Sequence, residues 1–292
     1  MLVKKLIFLL SVILFSLLTL YGVLIWNNNR DVAPVGKAEI RRSLNAGIDW
    51  LQAHRQTILK DANPVLWRML QESARVSHDA RLQSLFKAYE AIYLERRRLG
   101  MWRPLFYDNA WSPPRYEEIR NFPYYNKHFL YALNCDRDLE QYPEISEQND
   151  PDFCDRHLLR PACVTHQLMG IRMLQRKKCG DPKKLQQTVA VLQDRIVRQL
   201  FYDPRVVDVY LQRVLMLIES GAASRVKPVW LRRVIEAQSE AGGWSNFQPL
   251  LPLSGQQSLG FTQRGVGIRK RRDTFHATVQ GVLTMSLLSE SN

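Results

Sequence analysis

From Leu6 to Trp26 the chain runs for 21 residues without a charged side chain, and Lys4 and Lys5 stand just before it. A helix rises 1.5 Å per residue and crosses a bilayer core with about 20 apolar residues, so this run is long enough to span. It exceeds the roughly 7 to 15 apolar residues of a cleaved signal, and no small-x-small site closes it before Asn27-Asn-Asn-Arg30. The expectation is an uncleaved membrane anchor, residues 1–30, that meets the lipid through residues 6–26. The lysines ahead of the span favour a cytoplasmic N-terminus, although Arg30, Lys37, Arg41 and Arg42 follow it and blur the charge rule. In a bacterium this makes a single-pass inner-membrane protein with its body in the periplasm.

The remaining 260 or so residues show no break in composition, so residues 31–292 are expected to form a single domain. The formal net charge is +13, of which Lys4 and Lys5 supply two. Such a balance suits anionic partners, whether lipid headgroups, acidic glycans or nucleic acid, and an envelope protein is a further candidate partner. Nucleic acid is set aside, because no motif for it occurs and a tethered exported domain would rarely meet it. Arg269-Lys-Arg-Arg272 has a plain reading as a solvated loop.

After the anchor, apolar residues recur at helical spacing and no stretch alternates cleanly enough for a strand. Ile40, Leu44, Ile48 and Leu51 mark one helix; Leu82, Leu85, Phe86, Tyr89, Ile92 and Tyr93 mark another. Pro64 opens a helix between them, where a first-turn proline is tolerated. Residues 101–121, rich in proline and aromatics, read as an ordered loop; a helix over 123–133 and an acidic loop to Arg160 follow. Five more helices are predicted over 164–178, 184–201, 206–220, 226–239 and 274–288, the first four separated by short turns, which implies antiparallel hairpins. Those at 184 and 226 carry many charges, whereas those at 164, 206 and 274 are nearly apolar in their C-terminal halves. That alternation suits an all-α body of two layers, wet outside and buried inside.

The segment Gln238-Ser-Glu-Ala-Gly242-Gly-Trp244 resembles the Q-x3-G-x-W turn of terpenoid-cyclase-like proteins, a group that includes protein prenyltransferase β-subunits. Asp273-Thr-Phe-His276-Ala-Thr278 looks like the start of an inner helix in that group, and Gly47-Ile-Asp-Trp50 is a fainter echo. The resemblance implies an α/α toroid, complete or open, whose cavity is entered where the inner helices begin. Neither D-x-D-D nor D-x-x-D-D occurs, which argues against terpene cyclisation. Where prenyltransferase-like proteins hold zinc partly through D-x-C, Asp208-Val-Tyr210 has tyrosine, so that ligand is missing.

In this register the first turns of three inner helices present His166, Asp208 and His276, the candidate catalytic or metal set. Helix N-termini point unpaired N–H groups at whatever fills the cavity, and two imidazoles with a carboxylate suit zinc or iron. The plainer reading makes Asp208 a helix-start residue and the histidines hydrogen-bonded structure. Trp244, Arg264, Arg271 and Tyr210 are the candidate substrate contacts.

Cys135, Cys154, Cys163 and Cys179 form an even set, as disulfides in an exported domain require. Cys163 and Cys179 would lie about 24 Å apart at the two ends of one helix, whereas a disulfide needs Cα atoms within about 7 Å, so those two are not expected to pair. A competing reading joins Cys154, His157, Cys163 and His166 as two C-x2-H pairs around zinc. Residues 245–273 read as a flexible basic loop, a lid over the cavity or a floppy insertion. Two functions remain open: a binding or scaffolding domain of the cell envelope, and a cavity enzyme, with or without metal, acting on an anionic, lipid-linked or glycan substrate.

Overall fold

The computed structural model describes residues 2–95, 100–157 and 159–290. Among them the chain is mostly helical, with one small antiparallel sheet. Helix α1, Leu2–Asn29, is long and apolar enough to cross a membrane, and none of its membrane-length window is buried in the body. The body follows as α2 (Lys37–Ala53), α3 (Pro64–Ser77), α4 (Ala80–Tyr89), α5 (Tyr124–Asn134), α6 (Cys163–Lys177), α7 (Pro182–Tyr202), α8 (Asp208–Glu219), α9 (Pro228–Glu236) and α10 (Phe275–Glu290). Each lies within a few residues of the segment that apolar spacing predicted.

Local chemistry sets the ends. Asn63 Oδ1 accepts from the Val65 amide at 3.1 Å and Asp181 Oδ1 from the Lys183 amide at 2.8 Å, each directly before a proline in the first turn. Both devices satisfy or remove amides that a helix start leaves orphaned. Between α5 and α6 the acidic stretch folds into one-turn helices rather than an open loop.

Helix α10 is buried on almost every side, packed by α2, α3 and α8. This is why its sequence lacks a polar stripe. Helix α6 packs on α5, α7 and α8, and α8 joins the two groups. The charged helices α7 and α9 keep one face in water, as their sequences imply.

The cysteines pair as Cys135 with Cys179 and Cys154 with Cys163, at Cα separations of 5.6 and 5.7 Å. Cys163 begins α6 and Cys179 follows its end, so the helix does hold them apart. The first bridge ties the end of α5 to the end of α6; the second ties a short turn to the start of α6. With Cys154 and Cys163 joined to each other, the zinc reading of the two C-x2-H pairs is overturned.

The basic segment 245–273 is not a structureless loop. It forms β1 (Phe247–Pro252), β2 (Ser258–Thr262) and β3 (Gly265–Arg269), all antiparallel, and a bridge between Ser245 and Asp273 closes its base. Strand alternation is masked by Pro249 and Pro252 and by a register shift between Pro249 and Leu251. The glycines that looked like flexibility have a packing role: a Cβ on Gly260 would stand 2.2 Å from the Gln248 carbonyl oxygen.

Candidate functional site

Two of the three predicted residues are in contact, and the third stands near them. Asp208 opens α8 and His276 lies in the first turn of α10, with His276 Nδ1 3.3 Å from Asp208 Oδ2. His276 Nε2 lies 3.5 Å from the amide nitrogen of Gln280, so a single tautomer, Nδ1–H toward the carboxylate and Nε2 accepting from Gln280, fits both contacts. His166, in the first turn of α6, stacks on Tyr125 with ring centroids 4.0 Å apart. Burial, and then the neighbouring His276, push the His166 pKa down to about 4 against the pull of Asp208. The imidazole is therefore neutral at pH 7.

His166 and His276 line one hollow, to which five helix starts contribute: Asn63 and Leu66 at the α3 start, Tyr125 of α5, His166 of α6, Gln212 of α8 and His276 of α10; Asp208 is not part of its lining. Gln212 is fixed by a 2.9 Å hydrogen bond from Thr165. The hollow measures about 60 Å³, room for a water or two, since a water occupies roughly 30 Å³ in the liquid. The metal expectation for His166, Asp208 and His276 is not met: among the described residues no three His, Cys, Asp or Glu side chains are arranged to hold an ion. The physical reason is visible in the contacts, since Asp208 is turned to His276 while the His166 ring lies flat on Tyr125.

The four expected substrate contacts are elsewhere, and three hold structure together. Trp244 is fully buried, its indole N–H donating to the Val234 carbonyl at 2.7 Å and its ring lying against Gly47 and Gly281. Gln238 donates to the carbonyls of Ser43 and Gly242, and Gly242 has φ +91° and leaves no room for a Cβ, which would stand 2.2 Å from the Ala46 carbonyl oxygen. The Q-x3-G-x-W segment is thus a clamp joining α9, α2 and α10. Arg271 donates to the Ala237 carbonyl at 2.6 Å, and Arg264 is exposed on the sheet's β2–β3 turn. Tyr210 is fully buried, away from the hollow, and donates to Asn28 Oδ1 at 3.0 Å.

That bond belongs to a feature the sequence reading missed. Asn28, at the end of α1, is wholly buried: its amide donates to the Leu200 carbonyl at 2.6 Å, and its Oδ1 accepts from Tyr210 and from Arg233. The anchor is seated in the body. Beside it, Arg213 is buried and paired with Asp203 at 2.8 Å, with a further bond to Gln199. Burial opposes ionisation of Asp203, but hydrogen bonds from Arg205 and Arg213 outweigh it and hold the carboxyl below its ordinary range. The signal was a lone arginine inside the apolar run of α8, with its partner hidden in a Tyr202-Asp-Pro204 turn that reads as a helix stop.

An arginine-rich cleft lies next to this pair. It measures about 520 Å³ and is lined by Arg160, Arg195, Arg198, Arg205 and Arg213 against two carboxylates, Asp155 and Asp194, with the Cys154–Cys163 bridge in its wall. Arg195 is spent on Asp152 and Asp155, Arg205 and Arg213 on Asp203. Arg198 is exposed and makes no ion pair or side-chain hydrogen bond among the described residues. The chain matches no protein-family model, no curated protein and no solved structure.

Proposed function

We propose that this chain is a membrane-tethered binding domain of the cell envelope that captures an anionic ligand in its arginine-lined cleft. The observation that carries the reading is one of size and charge. The cleft, at about 520 Å³, is of the volume that small-ligand sites occupy, whereas the hollow at the helix starts, at about 60 Å³, admits no lipid or glycan. Two disulfides support an oxidising compartment for the body, which in a bacterium is the periplasm. The alternation of exposed and buried helices, with five starting around one hollow, supports a toroid-like arrangement whose centre is filled by side chains.

The test is pyrophosphate binding to full-length protein in neutral detergent, followed by calorimetry. Arg198→Glu and Lys60→Glu make the same charge change, one in the cleft and one on an exposed site outside its lining. The expected result is a loss of about tenfold for Arg198→Glu, about 1.4 kcal/mol, and less than about twofold for Lys60→Glu. Equal losses would mean unspecific attraction and end the proposal. Binding abolished by His276→Ala would move the function to the hollow.

That outcome belongs to a second reading, which the His276–Asp208 contact favours: a hydrogen-bonded acid–base pair with the imidazole half-exposed. It would act on a group that projects into the hollow from outside, with His276 moving the proton and Asp208 orienting the ring.

A further inference from the structure

We infer that the cleft is the headgroup end of a site for an anionic phospholipid, whose acyl chain lies against α1. The inference rests on the anion-binding reading above and names its ligand. A second hollow of about 530 Å³ is lined by Leu17, Leu20, Tyr21 and Leu24 of α1, by Tyr202 at the end of α7 and by Phe261 of β2. Gln199, Arg205 and Arg213 line this groove and the cleft alike, so the two adjoin.

One helix face runs through both. Asp194, Arg195, Arg198, Gln199 and Tyr202 fall at spacings of three, four and eight residues along α7 and share a stripe. The stripe begins among the arginines and ends at Tyr202, whose carbonyl accepts from the Tyr21 hydroxyl of α1 at 2.8 Å. Polarity changes along it from cationic to apolar, the same order as in a phospholipid read from phosphate to tail.

Depth agrees with polarity. Leu17 precedes Trp26, the last residue of the apolar run, by nine positions, which is about 14 Å along a helix and close to half of a hydrocarbon core about 30 Å thick. The groove therefore lies at acyl depth in the leaflet nearest the body, and the cleft lies beyond it. The sheet that supplies Phe261 also exposes Leu250, Leu251, Val266 and Ile268 beside Arg264 and Arg269, a surface suited to rest at an anionic interface. A free phosphate would use the cleft and leave the groove without an occupant. A choline lipid brings its own cation to an arginine that already lacks a partner.

The experiment is retention of defined lipids by full-length protein in mild detergent, read by native mass spectrometry. Phosphatidylglycerol should be retained at one per chain, about tenfold over phosphatidylcholine. Arg198→Glu, from the headgroup side, and Leu20→Trp, which fills the groove without disturbing an apolar span, should each lower that retention by about fivefold or more. Both sites are solvent- or lipid-exposed, and an unchanged helical circular-dichroism signal checks that the variants fold. Equal retention of the two lipids would overturn the assignment, as would retention that neither variant lowers. Displacement by inorganic phosphate with Leu20→Trp unaffected would identify a free anion instead. Should pyrophosphate still bind while phosphatidylglycerol is not retained, the lipid assignment fails alone; if neither binds, the anion reading falls with it.

Discussion

Replacing Asn28 by alanine should unseat the anchor. The side chain is fully buried and, besides a long 3.5 Å bond to the Phe201 carbonyl, exchanges three close hydrogen bonds with the body: to the Leu200 carbonyl, from the Tyr210 hydroxyl and from the Arg233 guanidinium. A neutral buried bond contributes about 1 kcal/mol and one to a charged partner about 1.5 to 3, so the set amounts to about 3.5 to 5 kcal/mol. Most of the loss comes from what is left behind, since Tyr210 is fully buried and its hydroxyl would have no acceptor where Asn28 stood. Arg233 keeps one bond, to the Pro204 carbonyl at 2.7 Å. For a body of this size that energy lowers the melting temperature by roughly 7 to 20 °C. The assay is thermal unfolding of full-length protein in detergent, followed by far-ultraviolet circular dichroism. Asn27→Ala is the control, because Asn27 is the same residue type one position earlier and is exposed. A melting point for Asn28→Ala within 2 °C of wild type, or an equal fall for Asn27→Ala, would refute the docked-anchor geometry.

Three further outcomes follow from the body. Gly242→Ala must place a Cβ 2.2 Å from the Ala46 carbonyl oxygen at φ +91°, so it should cost about 2 to 4 kcal/mol and appear as a lowered denaturant midpoint. An unchanged midpoint would mean the clamp between α9 and α2 is not formed. Losing the Cys135–Cys179 bridge, which closes a separation of 44 residues, should destabilise by about 4 kcal/mol, against about 2.6 for Cys154–Cys163 with a separation of 9, when paired serine variants are compared by chemical denaturation. The reverse order would show that native packing rather than chain entropy governs. His128 is fully buried and burial pushes its pKa down to about 4, so the unfolded chain binds a proton that the fold refuses. Stability should be complete above about pH 6.5 and fall as pH drops toward 4, by up to about 3 kcal/mol from this residue, and His128→Gln should flatten that slope whatever it does to the absolute value.

Helices were legible because each carries its own period and its own ends. The run from Lys37 to Ala53, the prolines at 64 and 182 and the helix-stop turns are local signals, and local hydrogen bonding honours them. The sheet at 247–269 was not legible: two prolines and a register shift break the alternation of β1, and the glycine spacing of β2 and β3 looks like looseness until the strands are side by side. His166, Asp208 and His276 do stand in the first turns where the sequence put them, and two of them, Asp208 and His276, are in contact. What each does there was not foreseen, because stacking on Tyr125 and pairing with His276 depend on neighbours from other helices.

By itself the sequence determined that one segment is apolar enough to span a bilayer, that the body is helical and cationic, and that Cys163 and Cys179 stand too far apart to bond. These follow from hydropathy, periodicity and the rise of a helix, which act along the chain. Tertiary structure alone decided which of three consecutive asparagines is buried, which arginines are spent on carboxylates and which stays unpaired, and that Trp244 is a wedge rather than a contact for substrate. Those are matters of partners brought from far along the chain, as when Asn28 meets Leu200, Tyr210 and Arg233, and no local pattern encodes the distance between them.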